Sequence, residues 1–303
     1  MDFLYFILGS ICIFYGSTFL IDNSTIVARS LKISPFAIGL TVIAFGTSLP
    51  ELVVSLMASN RGEGAIVIGN VVGSNIANIL LVLSVIVIIK PIAIDFNSVK
   101  QGAIYLFIST AATTLLIYYQ ALTFIYGVIL LLLFCTYMLN QFFSKNNIDC
   151  AIDTDESLNP YHIGLICIGI LLLGCGSHLF INSSIAIADF FNVPKIVISV
   201  SLVAFGTSVP ELVTSIIALK RGEPNFIIGN VIGSNIINIF LVLGSSLLID
   251  TIKISLEAIC YPLIFMILSA FLVILITSFK KMINKVHGLI FLAMYVLFIY
   301  LTV

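Results

Sequence analysis

Apolar residues run along this chain in long blocks, interrupted by short groups of charged and turn residues. Neither an alternating pattern nor a one-sided helical stripe dominates. A helix that crosses the hydrocarbon of a bilayer needs about 20 apolar residues. Cutting the chain at its charges and turn residues predicts ten such helices. They lie near 3–27, 35–59, 64–89, 101–118, 122–143, 161–187, 195–219, 224–249, 258–279 and 286–302. The stretch 101–144 carries no charge, so it must hold two helices in a tight hairpin turning near Tyr119 and Gln120.

Composition agrees with the pattern. Of 303 residues, 60% are hydrophobic and 9% charged, against about 25% charged in a soluble domain. The expected fold class is an all-α integral membrane protein whose first partner is the lipid bilayer. A net charge of −1 suggests no nucleic-acid partner. The opening "MDFLYFILGS" has no basic segment ahead of its apolar core, so it reads as a retained first helix with its N-terminus outside the cytoplasm. The six cysteines form no CxxC pair and mostly sit in apolar runs, where small buried hydrophobes are expected.

Lys and Arg set the orientation. With both termini outside, the inner loops hold Arg29, Lys32, Lys90, Lys100, Lys145, Lys220, Arg221, Lys280, Lys281 and Lys285. The outer loops hold Arg61, Lys195 and Lys253. Ten against three is a positive-inside bias, and it implies the cell membrane. The longest loop, 144–160, is then an acidic cytoplasmic linker, read as solvated, with a weak regulatory cation site as its alternative.

The chain repeats itself. Residues 44–79 align with 204–239 at a constant offset of 160, without a gap, and 24 of 36 positions are identical. "GSTFLIDNS" at 16–24 likewise faces "GSHLFINSS" at 176–184. The expected units are 1–143 and 161–303, joined by the linker. Each holds five spans, an odd number, so the second must be inverted. Inverted repeats are a transporter architecture, with substrate sites near the midplane on broken helices.

The duplicated segments read "AFGTSLPEL" and "AFGTSVPEL", and they hold the only two acidic residues expected deep in a span. Glu51 lies ten residues before Arg61, and Glu211 ten before Arg221. At 1.5 Å per residue each is ~15 Å below its own surface, close to the midplane. An isolated charge there costs ~2.5–3.5 kcal/mol on the insertion scale. A cation bound between them would offset it; a protonated pair bridging helices is the alternative. Pro50 has no N–H for the carbonyl of Gly46, and Pro210 repeats the break, so carbonyls around Ala44–Thr47 and Ala204–Thr207 are freed. Thr47 and Ser48 share the helix face of Glu51. Such oxygens suit Ca²⁺, Na⁺ or Mg²⁺.

"GNVVGSNIAN" and "GNVIGSNIIN" follow, adding Ser74, Asn78, Ser234 and Asn238. Asn78 and Asn238 sit at mid-helix, like the glutamates, and are candidate ligands. Asn70, Asn75, Asn230 and Asn235 are expected to hydrogen-bond between helices. Gly69, Gly73, Gly229 and Gly233 are spaced for close helix packing. His162 and His287 lie near span ends, and His178 stands where the other half has Thr18.

These motifs resemble the two alpha repeats of the cation/Ca²⁺ antiporter superfamily, and the chain is most similar throughout to the short prokaryotic Na⁺/Ca²⁺ exchangers. The resemblance implies four cation sites between the second, third, seventh and eighth helices. Glu51 and Glu211 would serve both ions. Thr47 and Thr207 would give carbonyls, and Asn78 and Asn238 would lie centrally. Ser48, Ser208, Ala44, Ala204, Ser74 and Ser234 would complete Na⁺ sites toward the two faces. It also implies that the first and sixth helices move across a fixed core. Some relatives carry aspartate at the place of Asn238. The asparagine leaves two carboxylates, which points to electrogenic, K⁺-independent exchange by a monomer. H⁺/Ca²⁺ exchange is the nearest rival; a passive channel and an intramembrane enzyme are weaker ones. No catalytic residue and no cofactor are expected, only transported Ca²⁺ and Na⁺.

Overall fold

The computed structural model describes residues 2–31, 33–94, 96–120, 122–143, 159–191, 204–279 and 282–302. The first repeat holds α1 (Asp2–Ser30), α2 (Pro35–Thr47), α3 (Leu49–Asn60), α4 (Gly64–Ile89), α5 (Phe96–Tyr118) and α6 (Phe124–Phe143). The second holds α7 (Pro160–Phe190), α8 (Ala204–Thr207), α9 (Val209–Arg221), α10 (Pro224–Ile249), α11 (Leu256–Phe279) and α12 (Lys285–Thr302). Among the described residues eight helices are long and apolar enough to cross a membrane; α2 and α3, bent by 47° at Ser48, make a ninth if counted as one span. Helices α8 and α9 are the described part of the span expected near 195–219; its residues 195–203 lie outside the described residues. So does the expected linker, apart from its last two residues.

Helix is the outcome the physics allows. In hydrocarbon a backbone N–H or C=O has no water to bond, and a helix pairs these groups within one segment. A two-residue antiparallel ladder is the exception here: β1 (Ile92–Ala93) pairs with β2 (Met282–Ile283), in register Ile92 with Ile283 and Ala93 with Met282. The expected hairpin is present. Helix α5 stops at Tyr118, Gln120 takes a positive φ of 54°, and its side chain donates to the carbonyl of Ile254 at 2.7 Å.

Burial ranks the helices. Nearly all of α10 and most of α4 are enclosed, whereas α6, α12 and the outer face of α1 expose large apolar side chains such as Phe3, Ile125 and Tyr300. An apolar exterior is ordinary for a surface that meets lipid rather than water. It also accounts for the cysteines. Cys135, Cys167, Cys175 and Cys260 are exposed and Cys12 is partly so, not buried as expected. In a membrane the outside of a bundle is as apolar as its core, so a Cys in an apolar run need not face inward.

The partners of each helix are mirrored. α4 packs on α11 and α10 on α5, while the second half of α4 meets α12 and that of α10 meets α6. α1 and α7 form a pair of their own, in backbone contact at glycines. A Cβ on Gly9 would lie 2.8 Å from the carbonyl oxygen of Gly176, and one on Gly16 2.8 Å from that of Gly169. Gly229 and Gly233 bring α10 as close to α2, where added Cβ atoms would sit 2.5 Å from the carbonyl oxygens of Phe36 and Leu40. The described residues put nothing within 4 Å of a Cβ on Gly69. Each Arg-Gly-Glu turn uses its glycine for a left-handed residue, Gly62 at φ 72° and Gly222 at φ 76°.

Candidate functional site

The two proline breaks have the same shape. Ser48 has φ −84°, ψ 4° and Ser208 φ −85°, ψ 2°, in the sparsely populated region between helix and strand where active-site residues often sit. Each proline follows at the second position of a new helix, where its missing N–H leaves no internal bond unmade. Each new helix therefore starts inside the bundle, with Glu51 or Glu211 in its first turn. Thr47, Ser48, Glu51, Ser74, Asn78 and their counterparts Thr207, Ser208, Glu211, Ser234 and Asn238 are all no more than 2% exposed. One compact polar site thus draws on both repeats.

Hydroxyl pairs stitch the repeats together. Thr47 Oγ1 lies 3.2 Å from Ser234 Oγ, and Ser74 Oγ lies 3.1 Å from Thr207 Oγ1. Thr47 also donates to Asn230 Oδ1 at 3.1 Å. The carboxylates follow the same crossing. Glu51 faces the hydroxyls of Ser74 and Thr207, and Glu211 faces those of Thr47 and Ser234. Glu51 is near enough for its charge to act on Glu211.

Yet none of the four carboxylate oxygens has a hydrogen bond of good distance and angle, although these hydroxyls lie close enough to act on them. Ser48 Oγ, Ser208 Oγ, Asn78 Oδ1 and both amide atoms of Asn238 are equally unpartnered. Of 18 such buried atoms among the described residues, these nine belong to six of the predicted ligands, and eight of the nine are oxygens. Each unsatisfied group costs about 1–3 kcal/mol, more when charged, and folded proteins keep few of them. An array this dense, acceptor-rich and enclosed has the chemistry to hold a hard cation. No group of three or more His, Cys, Asp and Glu gathers among the described residues, so amides and hydroxyls must complete any ligand set.

Asn70, Asn75, Asn230 and Asn235 each bond another helix, as expected. Asn70 donates to the carbonyl of Glu51 at 3.0 Å and to Ser55 Oγ at 2.8 Å, fixing the first turn of α3. Asn75 donates to the Asn235 carbonyl at 3.3 Å, and Asn78 to Asn235 Oδ1 at 3.4 Å, both across the repeats. The part of Asn235 in holding Asn78 could not be read from spacing alone. Nor could the backbone beneath the central asparagines. Asn78–Leu83 and Asn238–Leu243 are π-helical, as is Gly39–Ile43 just before Ala44. Such wide turns gather at functional sites.

Ala44 departs from expectation in detail. Its carbonyl accepts from Ser48 N at 3.0 Å and from Thr47 Oγ1 at 3.3 Å, so the break does not free it. Of Ala204, only its place at the start of α8 is described. The histidines lie away from the site: His162 bonds Asn23, His178 bonds Asn182, and His287 accepts from Asn284 N.

Two symmetry-related polar clusters, closed off inside an apolar bundle that repeats itself, define a membrane transporter built from duplicated halves. The family follows from comparison with known proteins. The sodium/calcium exchanger protein family matches residues 1–143 and 161–303, and the chain belongs to it. It is 37% identical over 296 residues to an uncharacterised membrane protein of Methanocaldococcus jannaschii, covering 97% of this chain and 95% of that one. It is 29% identical to the sodium/calcium exchanger MaX1 of Methanosarcina acetivorans, over 99% of this chain and 97% of the other. The solved sodium-calcium exchanger NCX_Mj, soaked with 10 mM Na⁺ and no Ca²⁺, superposes with a TM-score of 0.85 at 33% identity, covering 99% of this chain and 98% of that one. The chain is thus an antiporter of the cation/Ca²⁺ class and not an enzyme.

Proposed function

We propose that this protein exchanges Na⁺ for Ca²⁺ across the cell membrane by alternating access, as a monomer of ten spans with both termini outside. The observation that carries this reading is the pair of buried carboxylates with no hydrogen-bond partner, each set among hydroxyls of both repeats. Glu51 and Glu211 bind both ions in turn. Ser48, Ser208, Asn78 and Asn238 supply neutral oxygens, and Thr47, Thr207, Ser74, Ser234, Ala44 and Ala204 frame flanking Na⁺ positions. Hydroxyl, amide and carboxylate oxygens suit these hard cations.

Obligatory exchange follows from charge. One Ca²⁺ neutralises two carboxylates, and that state can close and reopen on the other face. An empty site would carry two unpaired negative charges through a dry, closed state, which is costly. A load of Na⁺ with larger total charge than Ca²⁺ makes the cycle electrogenic. With asparagine at 238 the site holds no third carboxylate, and K⁺ is not required.

Reconstitution tests the reading. Ca²⁺ uptake into proteoliposomes driven by an outward Na⁺ gradient, unchanged when K⁺ is omitted, is the expected result. Uptake driven by a pH gradient alone would assign the chain to H⁺/Ca²⁺ exchange instead.

A further inference from the structure

The two repeats are mirrored at the site but not at their edges. On the face that carries Arg221, α1 is tied to the second repeat three times. Thr214 Oγ1 of α9 donates to Ser17 Oγ at 2.9 Å, buried one turn from Glu211. Arg221 grips Asp22 with two bonds of 2.7 Å. Arg29, in the last turn of α1, reaches Glu223 at 3.3 Å, just before α10 begins. Between the inner and outer ties lie Leu20, Ile21 and Ala218, all fully buried.

Moving each tie by 160 residues gives its counterpart on the Arg61 face, where none of the three is found among the described residues. Ser17 and Thr214 become Ser177 and Val54, and valine has no hydroxyl to give. Ser177 instead bonds back to the Leu173 carbonyl of its own helix. Asp22 and Arg221 become Asn182 and Arg61; the amide bonds His178, and Arg61 forms no ion pair among the described residues. Arg29 and Glu223 become Asp189 and Glu63, two acids. The counterpart helices, α7 and α3, are nonetheless in contact.

We infer that these ties latch the Arg221 face shut in the resting protein, so that α1 and α7, joined at their glycines, release first at the Arg61 face. The inference rests on the alternating-access reading above, since only a protein that opens to both faces needs its two gates ranked. The seam itself is the barrier: from Glu211 to Arg221 it runs about 15 Å along α9. It is sealed by a hydroxyl pair, an apolar plug and two ion pairs in that order. Among the described residues no such hydroxyl pair or ion pair ties the seam on the Arg61 face.

Hydrogen–deuterium exchange of the purified, ion-free protein in detergent tests the latch without relying on transport. Asp22→Asn should raise amide exchange in 17–30 and 209–221 by roughly 1.5- to 5-fold, the range expected for one exposed ion pair. Asp22→Arg combined with Arg221→Asp should bring it back. Asn182→Asp, which gives Arg61 the partner it lacks, should slow exchange in 177–187 and 52–61 by a similar factor. Unchanged exchange in Asp22→Asn, or in Asn182→Asp, would overturn the inference. Because the readout needs no bound ion, it stands or falls apart from the assignment of Glu51 and Glu211.

Discussion

Replacing Glu51 by glutamine removes one charge from the site and almost no volume. The carboxylate is fully buried, accepts no hydrogen bond, and lies within electrostatic range of Glu211. Its loss should therefore act in opposite directions with and without ion. In ion-free protein two acids share an enclosed site where ionising both is costly, so Glu51→Gln should unfold at a higher temperature than the parent. With Ca²⁺ the sign reverses. Removing one partner of a buried, compensated charge set costs about 3–5 kcal/mol, which weakens binding by about two to three and a half powers of ten. At a free Ca²⁺ of 100 times the parent's Kd, the parent gains about 2.7 kcal/mol of stability. At the same concentration the variant should gain less than about 0.4 kcal/mol. Thermal unfolding in detergent across a Ca²⁺ titration reads both effects, with Glu211→Gln as the repeat-related control. A Ca²⁺-dependent gain in Glu51→Gln more than half that of the parent would refute the shared-carboxylate reasoning.

Three further outcomes are expected. Gly233→Ala should destabilise the fold by about 1–3 kcal/mol through overpacking, because its Cβ meets Leu40 O, Leu40 Cα and Ala44 Cβ at 2.5, 2.7 and 2.8 Å; exposed Gly164→Ala, with nothing within 4 Å, should stabilise slightly in the same melt. Exchange should generate current and respond to membrane potential by about 2.3 kcal/mol per net charge per 100 mV; voltage-independent flux in clamped proteoliposomes would contradict a two-carboxylate site. Burial raises the Glu223 carboxyl above the ordinary range although Arg29 pulls it down, so its ionised form costs stability that is recovered as pH falls through the raised value. A carboxyl titration followed by infrared difference spectra should show Glu223 protonating at a higher pH than an exposed glutamate, and an ordinary value would contradict the partial burial.

Much of the candidate site was legible because it breaks membrane rules twice. A carboxylate, a proline and hydroxyls in an apolar run are each expensive, and their recurrence at a fixed offset marked Glu51 and Glu211 before any fold was known. Span positions were legible for a similar reason, since lipid demands length and apolarity. Three things were not. Which helices touch depends on glycine contacts across the molecule, and Gly69 and Gly229 look alike in sequence yet have different surroundings. Cysteine placement failed because hydropathy does not separate lipid-facing from core-facing positions. The bond from Asn78 to Asn235 depends on helix rotation, which a π turn alters without leaving a mark in composition.

Those widened turns have a consequence for how the chain tolerates change. Each begins at Asn78 or Asn238 and fits one more residue into a turn than an α-helix would. The glycine-rich stretch before it is thereby offset in phase by ~100° from the apolar stretch after it. A single-residue deletion within 79–83 would erase that offset while preserving every hydrophobic character around it. The polar stretch would swing away from the carboxylates with no polar residue lost. In this protein the spacing between residues is itself part of the candidate ligand set, twice over.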